Sequence, residues 1–125
     1  MAYDYDSENI FAKILRGEIP NTTGADSAHS FAFQDINPAA PTHILVIPKG
    51  AYVNFDHFAT EATDAEIVDF NRMVAKITRD VGVAEIEGGE GYRLITNAGA
   101  HGVQDVPHFH VHIIGGRRLG RMISA

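Results

Sequence analysis

The sequence predicts a single α+β domain built on an antiparallel sheet, and three observations carry that reading. Strand-like segments come in adjacent pairs with helices set apart from them, not in a strand–helix alternation. The 125 residues, 45% hydrophobic and 21% charged, have the size and composition of one globular domain with a real core. Residues 108–114, His-Phe-His-Val-His-Ile-Ile, alternate imidazole with apolar side chains for five positions, the period-two pattern of a strand.

The elements follow in chain order. Residues 9–16 place Ile10, Phe11, Ile14 and Leu15 at helical spacing, and Gly17 with Pro20 beyond it stops the helix. Residues 28–33 and 42–47 read as strands joined by a turn over 35–41, where Asp35, Asn37, Pro38 and Pro41 supply turn chemistry. Residues 63–81 form the most strongly signalled helix. Thr63 and Glu66 make a capping box, Ile67, Phe70, Val74, Ile77 and Val81 form one apolar stripe, and Gly82 stands at the C-terminal stop. A Gly88-Gly89-Glu90-Gly91 turn precedes a strand at 92–96, and the histidine segment forms a last strand over 107–114. Residues 1–8 and 118–125 read as flexible tails.

Charge and composition remove several function classes. The net charge of −6 provides no basic stripe for nucleic acid or an anionic membrane; Arg117, Arg118 and Arg121 read as a solvated tail. There is no cysteine, so disulfides and thiolate metal sites are excluded, which suits a reducing compartment. The acidic start (Asp4, Asp6, Glu8) is unlike a signal peptide, and no apolar run approaches the roughly 20 residues of a membrane span. The expected location is cytoplasmic.

The histidines carry the chemistry. On a strand, alternation puts His108, His110 and His112 on one face and Phe109, Val111 and Ile113 on the other, with neighbouring imidazoles roughly 6.5–7 Å apart. Two uses compete. A His-x-His pair can ligate a transition metal, with His101 or Asp105 as further ligands. Alternatively, one neutral imidazole attacks phosphorus while its neighbours bind phosphate oxygens and protonate the leaving group. The loop over 97–105 favours the second, because its glycines allow close backbone approach and Asn97 and Gln104 carry amide donors. Plainer readings stand beside these. Asp35 suits an Asx turn, Asn97 a strand-end turn, and Phe11 and Ile14 the core, while His29, His57 and His101 read as surface residues.

With these residues in view, the chain resembles the histidine triad (HIT) superfamily, named for three histidines alternating with apolar residues. Residues 33–49 look like the family's second signature, running Phe33-Gln34-Asp35-Ile36-Asn37-Pro38 and then Ala40-Pro41-Thr42-His43 through Pro48-Lys49. Residues 10–20 look like its N-terminal segment, and the resemblance spans roughly 9–117, closest to the Hint branch. It implies one HIT domain over 1–125 with a five-stranded antiparallel sheet and two helices, paired into a homodimer with a ten-stranded sheet. The helix at 63–81 and the strand at 92–96 would lie at the interface.

The resemblance also implies roles. His110 would be the nucleophile, His112 would contact phosphate and assist the leaving group, and His108 and His43 would orient and polarise. Asp35 would bind ribose hydroxyls, Asn97 and Gln104 would contact sugar and phosphate, and Phe11, Ile14 and Ile36 would form a slot for the purine. The activity implied is cleavage of purine nucleoside phosphoramidates or similar nucleoside monophosphate conjugates at the α-phosphate, without a cofactor. A dinucleoside polyphosphate hydrolase or a nucleotide-binding regulatory module is the alternative.

Three departures stand out. Where many relatives place Cys-x-x-Cys and a later histidine on a structural zinc, this chain has Asn9, Ala12 and Ala51, so no metal is expected. Asp105 follows Gln104 where a serine is usual, and an ionised carboxylate can accept but not donate a hydrogen bond. Asp105 is therefore expected to face a histidine or a backbone N–H. The family's Trp-Pro-Pro-Gly ending is absent, which leaves the leaving-group side open.

Overall fold

In the computed structural model, which describes residues 2–123, five strands form one antiparallel sheet in the order β1-β2-β3-β5-β4. The strands are β1 (Thr23–Asp26), β2 (Ser30–Gln34), β3 (Thr42–Pro48), β4 (Tyr92–Ile95) and β5 (Val111–Gly115). Three α-helices accompany them, α1 (Ile10–Leu15), α2 (Phe55–Glu61) and α3 (Asp64–Asp80), with a short 3-10 turn at Glu85–Glu87. The expected five-stranded antiparallel sheet is present, but the expected two helices become three. At seven residues α2 is too short to declare itself by periodicity; its start is set by Asn54, whose side chain accepts from the His57 N–H at 3.0 Å. β1 went unread because Thr-Gly-Ala-Asp is an exposed edge strand with no apolar alternation.

Local sequence accounts for the helix ends. Asn9 caps α1, its Oδ1 accepting from the Ala12 N–H at 2.9 Å. Asn9, one of the three positions that the resemblance links to a zinc site, is thus an N-cap here. The capping box of α3 is formed in both directions between Thr63 and Glu66, and Gly82 at φ +80° turns the chain out of the helix. Inside α3 the buried stripe runs Phe70, Met73, Val74 and Ile77, whereas Val81 at its end is 39% exposed.

The sheet separates two apolar layers. On one face Ala32, Ile44, Val46, Phe109 and Ile113 pack against Phe70, Met73, Val74 and Ile77 of α3 and Phe58 of α2. Phe58, Phe70 and Phe109 form an aromatic triangle with centroids 5.0–5.2 Å apart, in the range of favourable ring pairs. On the other face Phe33, Leu45 and Ile47 pack with Phe11 and Ile14 of the short α1. Register fixes which face the chemistry occupies. Leu45 pairs with His112 and Val46 with Val111, so the histidines share the α1 face.

The histidine strand is shorter than its sequence pattern. The ladder covers Val111–Gly115, and residues 108–110 lie just outside it. Continued register would set Phe109 opposite Pro48, which has no N–H to give. The Phe109 N–H donates to Tyr52 O at 2.7 Å, and Thr96 Oγ1 donates to His110 O at 2.7 Å. The alternation of faces persists through this handover, since Phe109 is 2% exposed in the α3 layer while His108 and His110 lie against Phe11.

The first eight residues, read as a tail, make tertiary contacts within the described range. Tyr3 stacks on His57 with its hydroxyl on Asp56, and Tyr5 reaches His108. His57, expected at the surface, is 9% exposed, with Nδ1 accepting from the Val53 N–H at 2.9 Å. His101 is exposed, as expected.

Candidate active site

The hydrogen-bond partners of each ring set its tautomer, because a backbone carbonyl can only accept and a backbone N–H can only donate. His110 Nδ1 lies 2.7 Å from His108 O, so the proton of the neutral ring sits on Nδ1 and Nε2 keeps its lone pair. His43 Nδ1 accepts from the Ala39 N–H at 2.9 Å, so its proton sits on Nε2. That Nε2 lies 2.9 Å from His112 Nδ1, which must accept, leaving His112 to present Nε2–H. His108 Nε2 donates to Pro48 O at 2.8 Å, and its Nδ1 accepts from Tyr5 Oη at 2.6 Å. One ring therefore offers a lone pair and its neighbour, with centroid 5.0 Å away, offers a proton. This is the division of labour that attack on an electrophile beside a departing group requires.

Burial keeps these rings neutral. Desolvation pushes His108 down to about 4, assisted by neighbouring His110 and opposed by the bond to Pro48. Desolvation likewise pushes His112 down to about 4, with His110 and His43 adding to it and the carboxylates of Asp35 and Asp105 opposing it. His110 is lowered for the same first reason, opposed by its bond to the His108 carbonyl and by Asp35 and Asp105. His110 is 6% exposed, with the Phe11 ring edge-on at 4.9 Å, whereas His112 is half-buried and forms the open end of the row.

Asp35 combines both of its readings. Oδ1 accepts from the Asn37 N–H at 2.8 Å in an Asx turn, while Oδ2 lies 3.4 Å from His43 Nε2. Asp35, His43 and His112 are close enough for their ligand atoms to surround a metal ion. The tautomers argue for a relay in its place, because His43 points a proton toward His112, where a ligand would need a lone pair.

Other expected residues fall differently. Phe11 and Ile14 are 7% and 8% exposed and belong to the α1-side core, where Phe11 stands edge-on to His110. Ile36 is 85% exposed beyond Asp35. Gln104 does not offer its amide outward. Its Nε2 donates to Val53 O at 2.6 Å and Val106 O at 3.0 Å, so both protons are used to brace the loop. Asn97 is half-buried at the end of β4 and its side chain makes no hydrogen bond among the described residues. Asp105 is exposed, and its charge acts on both His110 and His112.

The site also uses groups that the pattern of the chain did not single out. Backbone atoms of Pro48 and Ala39 carry no side-chain signal at all. Tyr5 lies among acidic residues with nothing local to tie it to a position 103 residues away.

Known proteins resemble the chain along most of its length. The HIT domain family model matches residues 16–119. The chain is 53% identical over 124 residues to a 13.2 kDa HIT-like protein of Azospirillum brasilense, covering 99% of this chain and 98% of that one. It is 42% identical over 120 residues to the purine nucleoside phosphoramidase of Escherichia coli (strain K12), covering 94% of each. Among solved structures, a histidine triad protein from Clostridium difficile superimposes with a TM-score of 0.80 at 34% identity, over 96% of this chain and 100% of that one.

Proposed function

The chain belongs to the HIT domain family, and from that premise we propose that it hydrolyses purine nucleoside phosphoramidates or similar nucleoside monophosphate conjugates at the α-phosphate. The observation that carries this reading is the pair of opposite tautomers, His110 with a free Nε2 and His112 with Nε2–H. His110 Nε2 attacks phosphorus, the P–N bond breaks, and the nucleotide is left on the imidazole. His112 hands its Nε2 proton to the departing amine and takes a proton from solvent at the same nitrogen, so its Nδ1 goes on accepting from His43. Water then attacks phosphorus, gives a proton to solvent, and releases the nucleoside monophosphate and neutral His110. In this reading Asp35, with one oxygen unbonded to backbone, accepts from ribose hydroxyls, and His43 holds His112 in its donor form.

A homodimer is part of the proposal. β4 is an edge strand beside an apolar groove of about 400 Å³ lined by Phe55, Ile67, Phe70, Leu94, Phe109 and Val111. Phe55 and Leu94 of this lining are exposed, as are Val68 of α3 and Tyr92 of β4, and pairing two such edges would bury apolar surface.

Mass spectrometry after brief mixing with adenosine phosphoramidate tests the chemistry, wild type beside His110→Asn. One adenylyl group on the wild type alone is expected. AMP binding with neither adduct nor AMP product would leave a binding module and overturn the hydrolase reading.

A further inference from the structure

Tyr5 brings an N-terminal residue into the interior of the histidine row. His108 is fully buried, so each of its ring nitrogens needs a partner inside the protein. Nε2 donates to Pro48 O, and the partner available to Nδ1 is Tyr5 Oη at 2.6 Å. The phenol therefore donates, and His108 has one neutral tautomer and one ring orientation in which both bonds exist. His108 matters to the reaction through its backbone, because its carbonyl holds the Nδ1 proton of His110 at 2.7 Å.

The segment carrying Tyr5 is itself held at several points. The Asp6 carbonyl accepts from the Asn9 backbone N–H and from Asn9 Nδ2 at 2.8 Å, and Asp6 Oδ1 accepts from the Glu8 N–H at 2.9 Å. Asn9 in turn caps α1, whose Phe11 stands edge-on to both His108 and His110. Tyr3 adds a second anchor on His57 and Asp56. Residues 3–11 thus form a strap from the α2 surface to the back of the triad.

We propose that Tyr5 is a positioning residue of this site: its hydroxyl locks the tautomer and orientation of His108, and through the His108 carbonyl the orientation of His110. The assignment of an effect on turnover rests on the hydrolase reading above; the lock itself does not. Charge or hydrogen bonding from His110 acts on His108, from Asn9, Arg16 and Asp6 on Tyr5, and from Asp35 and Asp105 on His110. Desolvation raises the Tyr5 phenol above its ordinary range, so it is a donor at neutral pH.

The test compares wild type with Tyr5→Phe, which removes one oxygen and keeps the ring. Long-range ¹H–¹⁵N NMR of the histidine rings reads the lock directly. In the wild type, His108 should show a protonated Nε2 and a hydrogen-bonded, unprotonated Nδ1. In Tyr5→Phe the Nδ1 signal should move to the position of a free lone pair. With adenosine phosphoramidate, kcat should fall about 10-fold at unchanged KM, the scale on which losing the orienting partner of a histidine acts.

A wild-type spectrum with the Nδ1 proton on His108, or one unchanged by Tyr5→Phe, overturns the lock. A shifted signal with unchanged kcat overturns the positioning role. If Tyr5→Phe does not fold, the wild-type tautomer still decides the lock. If the wild type turns over no phosphoramidate, the hydrolase reading fails, and the ring spectra still judge Tyr5.

Discussion

The two faces of the sheet draw on the same six residues, His108 to Ile113, for opposite purposes. On the α3 face, Phe109 and Ile113 are 2% and 0% exposed within a thick layer closed by two helices. On the α1 face, His108, His110 and His112 lie behind one six-residue helix and an N-terminal strap. A single alternating segment thus anchors the chain with its odd residues and presents chemistry with its even ones. The difference teaches why the imidazoles can be both rigid and reactive. Their backbone is fixed from behind by apolar packing, so hydrogen bonds on the front face are free to set tautomers.

Acid should break the histidine face first, with the largest effect. His108 and His112 both have folded values near 4 against 6.5 for the ordinary ring, so below pH 6.5 the unfolded chain binds protons that the folded chain refuses. Their contribution is fully present above pH 6.5 and is lost as pH falls through about 4. Between those limits each ring tilts stability by about 1.4 kcal/mol per pH unit. Urea unfolding at pH 7, 6 and 5 checks this, and a flat series would mean the rings are not buried neutral.

The α3 face is sharpened by Phe109→Ala. Removing this ring from the aromatic triangle should cost about 3–5 kcal/mol. A urea midpoint that barely moves would show that the ring triangle is not what fixes the backbone behind the triad.

The smallest effect belongs to the rim of the histidine face. Asp105→Ser removes an anion whose charge bears on His110 and His112 and restores a donor, so turnover of adenosine phosphoramidate should rise several-fold, about 1 kcal/mol or less. Steady-state kinetics decide it. An unchanged or lower kcat/KM would show that Asp105 serves the site as a carboxylate.

Much of this was legible beforehand where the signal is local. The capping box at Thr63 and Glu66, the turn from Asp35 to Pro41 and the alternation from His108 to Ile113 all depend on neighbours within a few residues. Elements without local contrast escaped. β1 is polar and at an edge, and α2 is only seven residues long. The site was legible in its residue types but not always in their direction. Gln104 has the donors a phosphate needs, yet both point to carbonyls at Val53 and Val106. Phe11 and Ile14 have the apolar surface a base needs, yet it is buried in the α1-side core.

By itself the sequence determined four of the five strands, the long helix and the sharing of one strand face by the three histidines, because side-chain alternation and helical periodicity are properties of the backbone that residue order alone expresses. It also supplied the family resemblance, through motifs that are contiguous. Tertiary structure decided which nitrogen of each ring bears the proton, that His57 is buried and that Tyr5 stands behind His108. Those outcomes depend on carbonyls, amides and a phenol brought from distant points of the chain. A hydrogen bond is fixed by distance and direction in space, and spacing along the sequence encodes neither.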